Sequence, residues 1–183
     1  MATLRTSPPD SAPDSRVPHI VLVGLPGAGK SAVGALLGEA LGRPVLDFDV
    51  EIARRQGTSV PEIFARRGED YFRELERALT EELRDTGNMI LAPGGGWAAR
   101  ADTVALLRPP ARLVYLRVTP ATAVRRMGAG VSVRPLLRHP DPVGELGRLL
   151  TTRRSAYESA DLVLDVEALA PQEVTDRIAA WAV

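Results

Sequence analysis

Apolar residues along the chain fall into five short runs, separated by longer stretches of helical period. The first run, His19–Val23, leads through glycines into Ala32–Leu41, whose apolar positions recur at helical spacing. Arg43-Pro44 breaks that pattern, and Val45–Asp49 reads as a second strand ending in acid. Residues 50–56 read as a helix stopped by Gly57. Thr58 or Ser59 caps the next helix, with Pro61 and Glu62 in its first turn, and that helix runs to Gly68. A longer one over 69–86 carries Phe72, Leu75, Leu79 and Leu83 on one face. Asn88–Ala92 reads as a third strand. A helix near 100–107 precedes the fourth, Leu113–Leu116, and Thr119-Pro120 opens another helix. Residues 128–142 hold Gly, Pro and Arg with little periodicity and predict a mobile loop. A helix over 143–159, a fifth strand Leu162–Asp165 and a closing helix from Pro171 to about Trp181 follow.

Strands alternating with helices predict an α/β fold, a five-stranded parallel sheet covered on both faces in three layers. Residues 18–183 form one domain on this reading, and residues 1–17, with Pro8, Pro9 and Pro13 among Ser, Asp and Ala, predict a disordered tail. Ligands of such sheets sit beyond the carboxyl ends of the strands. Three stretches follow such ends and are therefore expected to share one cleft: residues 24–31, Asp47 with Asp49, and Gly94–Gly96.

The first of these is Gly24-Leu25-Pro26-Gly27-Ala28-Gly29-Lys30-Ser31, with the spacing G-x-x-x-x-G-K-S between a strand and a helix. That is the phosphate-binding loop in its required context. Glycines let the backbone approach a ligand closely, and the bared N–H groups of Gly27, Ala28, Gly29, Lys30, Ser31 and Ala32 at a helix start form an anion hole. Lys30 reaches the β- and γ-phosphates in such loops, and the Ser31 hydroxyl holds Mg²⁺. Lys30 is the only lysine among 23 basic residues. A chain that otherwise uses arginine keeps a point-charge ammonium where this loop needs one.

Composition narrows the rest. The chain has 183 residues, 45% hydrophobic, zero formal net charge and no cysteine. This argues against bulk nucleic-acid or membrane-surface binding, a disulfide framework and thiol chemistry, and it fits a cytoplasmic enzyme. No apolar stretch approaches the ~20 residues of a membrane span. His19 and His139 are too few and too far apart for a histidine zinc site.

Asp47 and Asp49, read as a strand end, are expected to face different ways, one toward a metal and the other toward an acceptor. Arg73 lies three before Glu76 and Arg153 four before Tyr157, each pair on one helix face. Together with Phe72-Arg73-x-x-Glu76, Gly94-Gly95-Gly96 and Arg134-Pro135-Leu136-Leu137, the set resembles shikimate kinase over about residues 19–165. The resemblance implies a P-loop kinase of the nucleoside-monophosphate-kinase type, with a lid at about 128–142 and acceptor-binding helices at about 50–86. It implies ATP-dependent phosphorylation of the 3-hydroxyl of shikimate, with Mg²⁺, by a monomer. Lys30, Asp49 and Arg134 would be catalytic. ATP would lie on the loop, with Arg126 on its adenine and Arg134 on its phosphates. Asp49, Arg73, Gly95, Gly96 and Arg153 would hold shikimate, and Ser31 and Asp47 the metal. A sugar acid such as gluconate also carries a carboxylate for these arginines, and a third reading is an ATP-binding module that transfers nothing. Three residues depart from the family pattern, Phe48 between the aspartates and Pro93 and Trp97 on either side of the glycines. Trp97 is expected to stand near the acceptor pocket, narrowing it or supplying a stacking wall.

Overall fold

Each apolar run expected to be a strand pairs in parallel with its neighbours. The strands are β1 (Ile20–Val23), β2 (Val45–Asp47), β3 (Ile90–Ala92), β4 (Arg112–Arg117) and β5 (Leu162–Asp165), in the order β2-β3-β1-β4-β5. This is a computed structural model, and it describes residues 17–132 and 134–182. The tail expected over residues 1–17 lies, but for Val17, outside the described residues.

The central strand shows why the runs are continuous rather than alternating. Residues Ile20 to Val23 are all at most 3% exposed, because helices cover both faces of the sheet. The described residues form seven helices: α1 (Lys30–Leu41), α2 (Phe48–Gln56), α3 (Val60–Glu82), α4 (Ala101–Val104), α5 (Pro120–Met127), α6 (Pro142–Glu158) and α7 (Pro171–Ala182). None of the described helices is long and apolar enough to cross a membrane. The connection leaving β1 runs to one edge of the sheet and that leaving β4 to the other. A crevice therefore opens at the strand ends beside β1. Register levels those ends: Asp47 pairs with Ala92, so the turn after β3 starts beside the residues that follow β2.

Local chemistry explains the helix boundaries. Ser59 and Glu62 form a reciprocal capping box at the start of α3. Gly68, at φ 80° and ψ 175°, breaks α3 into the two pieces that the sequence predicts. The helix expected over 100–107 is shorter, a 3₁₀ turn at Trp97–Ala99 followed by α4. One expectation fails with consequences. The second strand stops at Asp47, and Phe48 and Asp49 already form the first turn of α2. Asp47 is its N-cap, and its Oδ1 accepts from the N–H groups of Asp49 (3.0 Å) and Val50 (3.3 Å). In an unbroken strand the two aspartates would share one face; the strand-to-helix turn is what separates them. The loop expected over 128–142 is also more ordered than its composition predicts. It winds through 3₁₀ turns at Gly128–Val131 and Pro135–Leu137, and Leu137 enters the core at 2% exposure.

His19 pins the start of β1 to the segment before β3. It is buried, its Nδ1 accepts from the Met89 N–H (3.3 Å), and its Nε2 faces the Leu83 carbonyl (3.3 Å). Burial holds its pKa below 6.5, against the opposing backbone hydrogen bonds. Between the folded value and 6.5 the unfolded chain binds more protons, so stability falls as pH drops below about 6.5. Calorimetric unfolding from pH 7 to 5 should show a decline in Tm that is shallower in His19→Asn. Parallel slopes would contradict this role.

Candidate active site

The phosphate loop joins β1 to α1, and its geometry depends on glycine at Gly27. That residue has φ +83°, and a Cβ there would collide with the Ala123 carbonyl of α5. Gly29 caps α1 in the left-handed region with no side-chain acceptor, which leaves the leading N–H groups of the helix free for an anion. The Lys30 ammonium folds under the loop and donates to the carbonyls of Gly24 and Leu25, both at 3.0 Å. Burial lowers its pKa to about 8; Asp49 opposes this and Arg134 adds to it.

Ser31 and Asp47 meet across the cleft floor, with Ser31 Oγ donating to Asp47 Oδ2 at 2.5 Å. Asp47 thus serves α2 with one oxygen and faces the loop with the other. A cleft of about 70 Å³ is lined there by Lys30, Ser31, Asp47, Asp49 and Arg134. Among the described residues no cluster of three or more His, Cys, Asp or Glu side chains forms a cage for a metal.

Beyond it lies a larger cavity of about 330 Å³. Asp49 and Arg134 line both spaces, so the two adjoin at those residues. Arg73, Arg153 and the Gly94–Gly96 turn line the larger one. Burial raises the pKa of Asp49, with help from the neighbouring Asp47, against Lys30, Arg134 and Arg73. Arg73 is held in place by its Nη1 donating to Glu76 Oε2 (2.6 Å) and its Nη2 to Glu69 Oε1 (2.8 Å). Glu76 is only 2% exposed, and burial raises its pKa against the pull of Arg73. Arg153 is 7% exposed, yet no carboxylate among the described residues lies within 4 Å of it. A buried guanidinium without a counter-ion, beside a second arginine, is suited to an incoming carboxylate.

The cavity also has an apolar wall that includes Phe64, Phe72, Leu136 and Leu137. Phe64 and Phe72 sit either side of the Gly68 break with ring centroids 4.9 Å apart. The sequence puts both on helices but does not reveal this wall; the signal it holds is two aromatics flanking a glycine beside Arg73. Trp97 does not supply it. Trp97 is 1% exposed and absent from the cavity lining, and its indole N–H donates to Thr80 Oγ1 at 2.9 Å. The expected pocket-side tryptophan is therefore a core residue, because α3 offers its ring a hydroxyl partner. Phe48 is fully buried and likewise outside the cavity.

The structure thus brings together Lys30, Ser31, Asp47, Asp49, Arg73, Gly94–Gly96, Arg134 and Arg153. Arg126 lies apart from both spaces. Its guanidinium donates to the carbonyls of Val166 (2.6 Å) and Glu167 (3.3 Å), tying α5 to the segment after β5. The glycine turn is tight for a reason. A Cβ on Gly96 would stand 2.5 Å from the Arg73 guanidinium. Gly96→Ala should therefore displace Arg73 and raise the acceptor KM about tenfold or more, with little change in the KM for nucleotide. Steady-state kinetics with each substrate varied in turn would check this, and equal rises in both KM values would contradict it.

A phosphate loop at the switch point of a parallel 2-3-1-4-5 sheet, with a larger cavity beside it, defines a P-loop kinase of the nucleoside-monophosphate-kinase type. Comparison with known proteins narrows the class. The family model for shikimate kinase matches residues 26–182, and the chain belongs to the shikimate kinase family. A shikimate kinase of Moorella thermoacetica is 38% identical over 167 residues, covering 89% of this chain and 95% of that protein. One of Pseudomonas savastanoi pv. phaseolicola is 40% identical over 163 residues, 88% of this chain and 94% of that one. Among solved structures, shikimate kinase from Acinetobacter baumannii in complex with shikimate superposes with a TM-score of 0.84 at 35% identity, covering 90% of this chain and 92% of that one.

Proposed function

We propose that the protein transfers the γ-phosphoryl group of ATP to the 3-hydroxyl of shikimate, giving shikimate 3-phosphate and ADP. The observation that carries this reading is the unpaired, buried guanidinium of Arg153, which shares one cavity with Arg73 and Asp49 beside the phosphate loop. Arg73 and Arg153 grip the acceptor carboxylate. The apolar wall covers the carbocycle, and the far side of the ring presents its hydroxyl to Asp49.

Phosphoryl transfer asks the protein mainly for alignment and charge neutralisation. Loop N–H groups and Lys30 hold the β- and γ-phosphates. Asp49 orients the acceptor hydroxyl and takes its proton as the oxygen bonds to phosphorus and the β–γ bridging bond breaks. Its raised pKa suits that task, since a carboxylate of higher proton affinity is a stronger base. Arg134, reaching both spaces from the 128–142 segment, which serves as the lid, neutralises charge on the transferring group. Arg126 borders the adenine end. Ser31 and Asp47 suit Mg²⁺: they are hard oxygen donors beside the loop, few in number, as befits an ion that keeps waters and phosphate oxygens as its other ligands. When bound, that ion offsets charge on the β- and γ-phosphates. One chain contributes every group, which fits a monomer acting in the cytoplasm on ATP and shikimate alone.

A coupled assay of ADP release tests the reading. Turnover should appear with shikimate and not with gluconate. Silence with shikimate, or faster turnover with gluconate, would overturn it.

A further inference from the structure

The glycine turn lies between the phosphate loop and α3. A Cβ on Gly94 would stand 2.6 Å from Glu76 Oε1 and one on Gly96 2.5 Å from Arg73, both on α3. A Cβ on Gly95 would meet Pro26 of the phosphate loop at 2.9 Å. The turn therefore sets the distance between the phosphate loop and the acceptor helix. A turn of three glycines has no side chains with which to hold its own shape, so its shape must come from outside.

Two ties supply it. From α6, the Tyr157 hydroxyl donates to the Gly95 carbonyl. From α3, Thr80 Oγ1 accepts the Trp97 indole N–H and donates to the Glu76 carbonyl at 2.6 Å. Tyr157 lies one helical turn after Arg153, is fully buried, and stacks on Tyr115 of β4 with centroids 5.0 Å apart. Burial pushes its pKa up to about 12, with the nearby Arg153 guanidinium opposing, so the phenol stays a proton donor across the working range.

We infer that Tyr157 is a positioning residue for the acceptor: by holding the Gly95 carbonyl it fixes the glycine turn against Arg73 and keeps the two carboxylate-gripping arginines at one spacing. The inference rests on the proposed shikimate reading. Tyr157 lines neither of the two spaces, and acts through Gly95 and Arg153. The Trp97–Thr80 tie anchors the other end of the same turn.

Tyr157→Phe tests this, because the ring and its stack on Tyr115 remain while the hydroxyl is lost. The expected result is a rise in the KM for shikimate of about five- to tenfold, with the KM for ATP within about twofold and a smaller change in kcat. Thr80→Val, which deletes the acceptor of the Trp97 N–H, should shift the same parameter in the same direction and keeps the test open if the tyrosine variant folds poorly. Wild-type turnover of shikimate with an unchanged shikimate KM in Tyr157→Phe overturns the inference and leaves the functional reading intact. Equal rises in both KM values with a lower Tm also overturn it, since that is a structural effect alone. No turnover of shikimate by the wild-type protein overturns the reading and the inference together.

Discussion

Lys30→Met is expected to lower kcat by about 10³-fold or more, the scale of losing a preorganised charged donor at the transferring group. The ammonium sits under a loop whose N–H groups face the ligand, and burial has already lowered its pKa to about 8. A charge kept in place despite that penalty serves something the folded chain does not itself provide, and the phosphate chain is the group the loop is built for. Two readouts separate this from misfolding. The Tm of Lys30→Met should change little, because losing the hydrogen bonds to the Gly24 and Leu25 carbonyls is offset by removing a desolvated charge. In the wild-type protein, ADP affinity should weaken as pH rises through 8, reaching about tenfold weaker at pH 9 than at pH 7 as the lysine loses its proton. Calorimetric titration of ADP at the two pH values checks this. A pH-independent affinity, or a variant within tenfold of the wild-type rate, would contradict the role.

Asp49→Asn is expected to lower kcat by about 10²- to 10⁴-fold, the range for a positioned general base. Asparagine keeps the shape and one hydrogen-bond acceptor, so the KM for shikimate should change little, and nucleotide affinity should hold or improve once a negative charge near the phosphates is gone. In the wild-type protein burial and Asp47 raise the carboxyl's pKa above 3.8. A group that must be ionised to act loses activity as pH falls through its pKa, so the acid limb of kcat/KM should lie above 3.8 and be absent in the variant. A variant with more than a tenth of wild-type kcat would contradict the assignment.

The sheet was legible in the sequence because parallel strands buried on both faces leave unbroken apolar runs. The phosphate loop was legible because its spacing, its glycines and the lone lysine all encode local geometry. What sequence reading missed depends on partners far along the chain. Trp97 was misplaced toward the pocket because its indole N–H is satisfied by Thr80, 17 residues earlier. Asp49 was placed on a strand because nothing in Val45–Asp49 announces that Asp47 will cap a helix with one oxygen and meet Ser31 with the other. The 128–142 segment lacks period and so reads as loop, yet the Pro135–Leu137 turn packs against α3 and α6 and buries Leu137. The apolar wall of Phe64 and Phe72 was invisible for the same reason: it forms only where α3 bends at Gly68.

The central claim is that two guanidinium groups in one chamber recognise a carboxylate beside a phosphate loop. Calorimetric titration of shikimate and of its methyl ester, each in the presence of ADP and Mg²⁺, tests this most directly. The ester keeps the ring and hydroxyls and loses only the charge. The account predicts binding of shikimate and about 10²-fold weaker binding of the ester, the scale of charge-assisted hydrogen bonds in a buried site. Equal affinities for the two would contradict it.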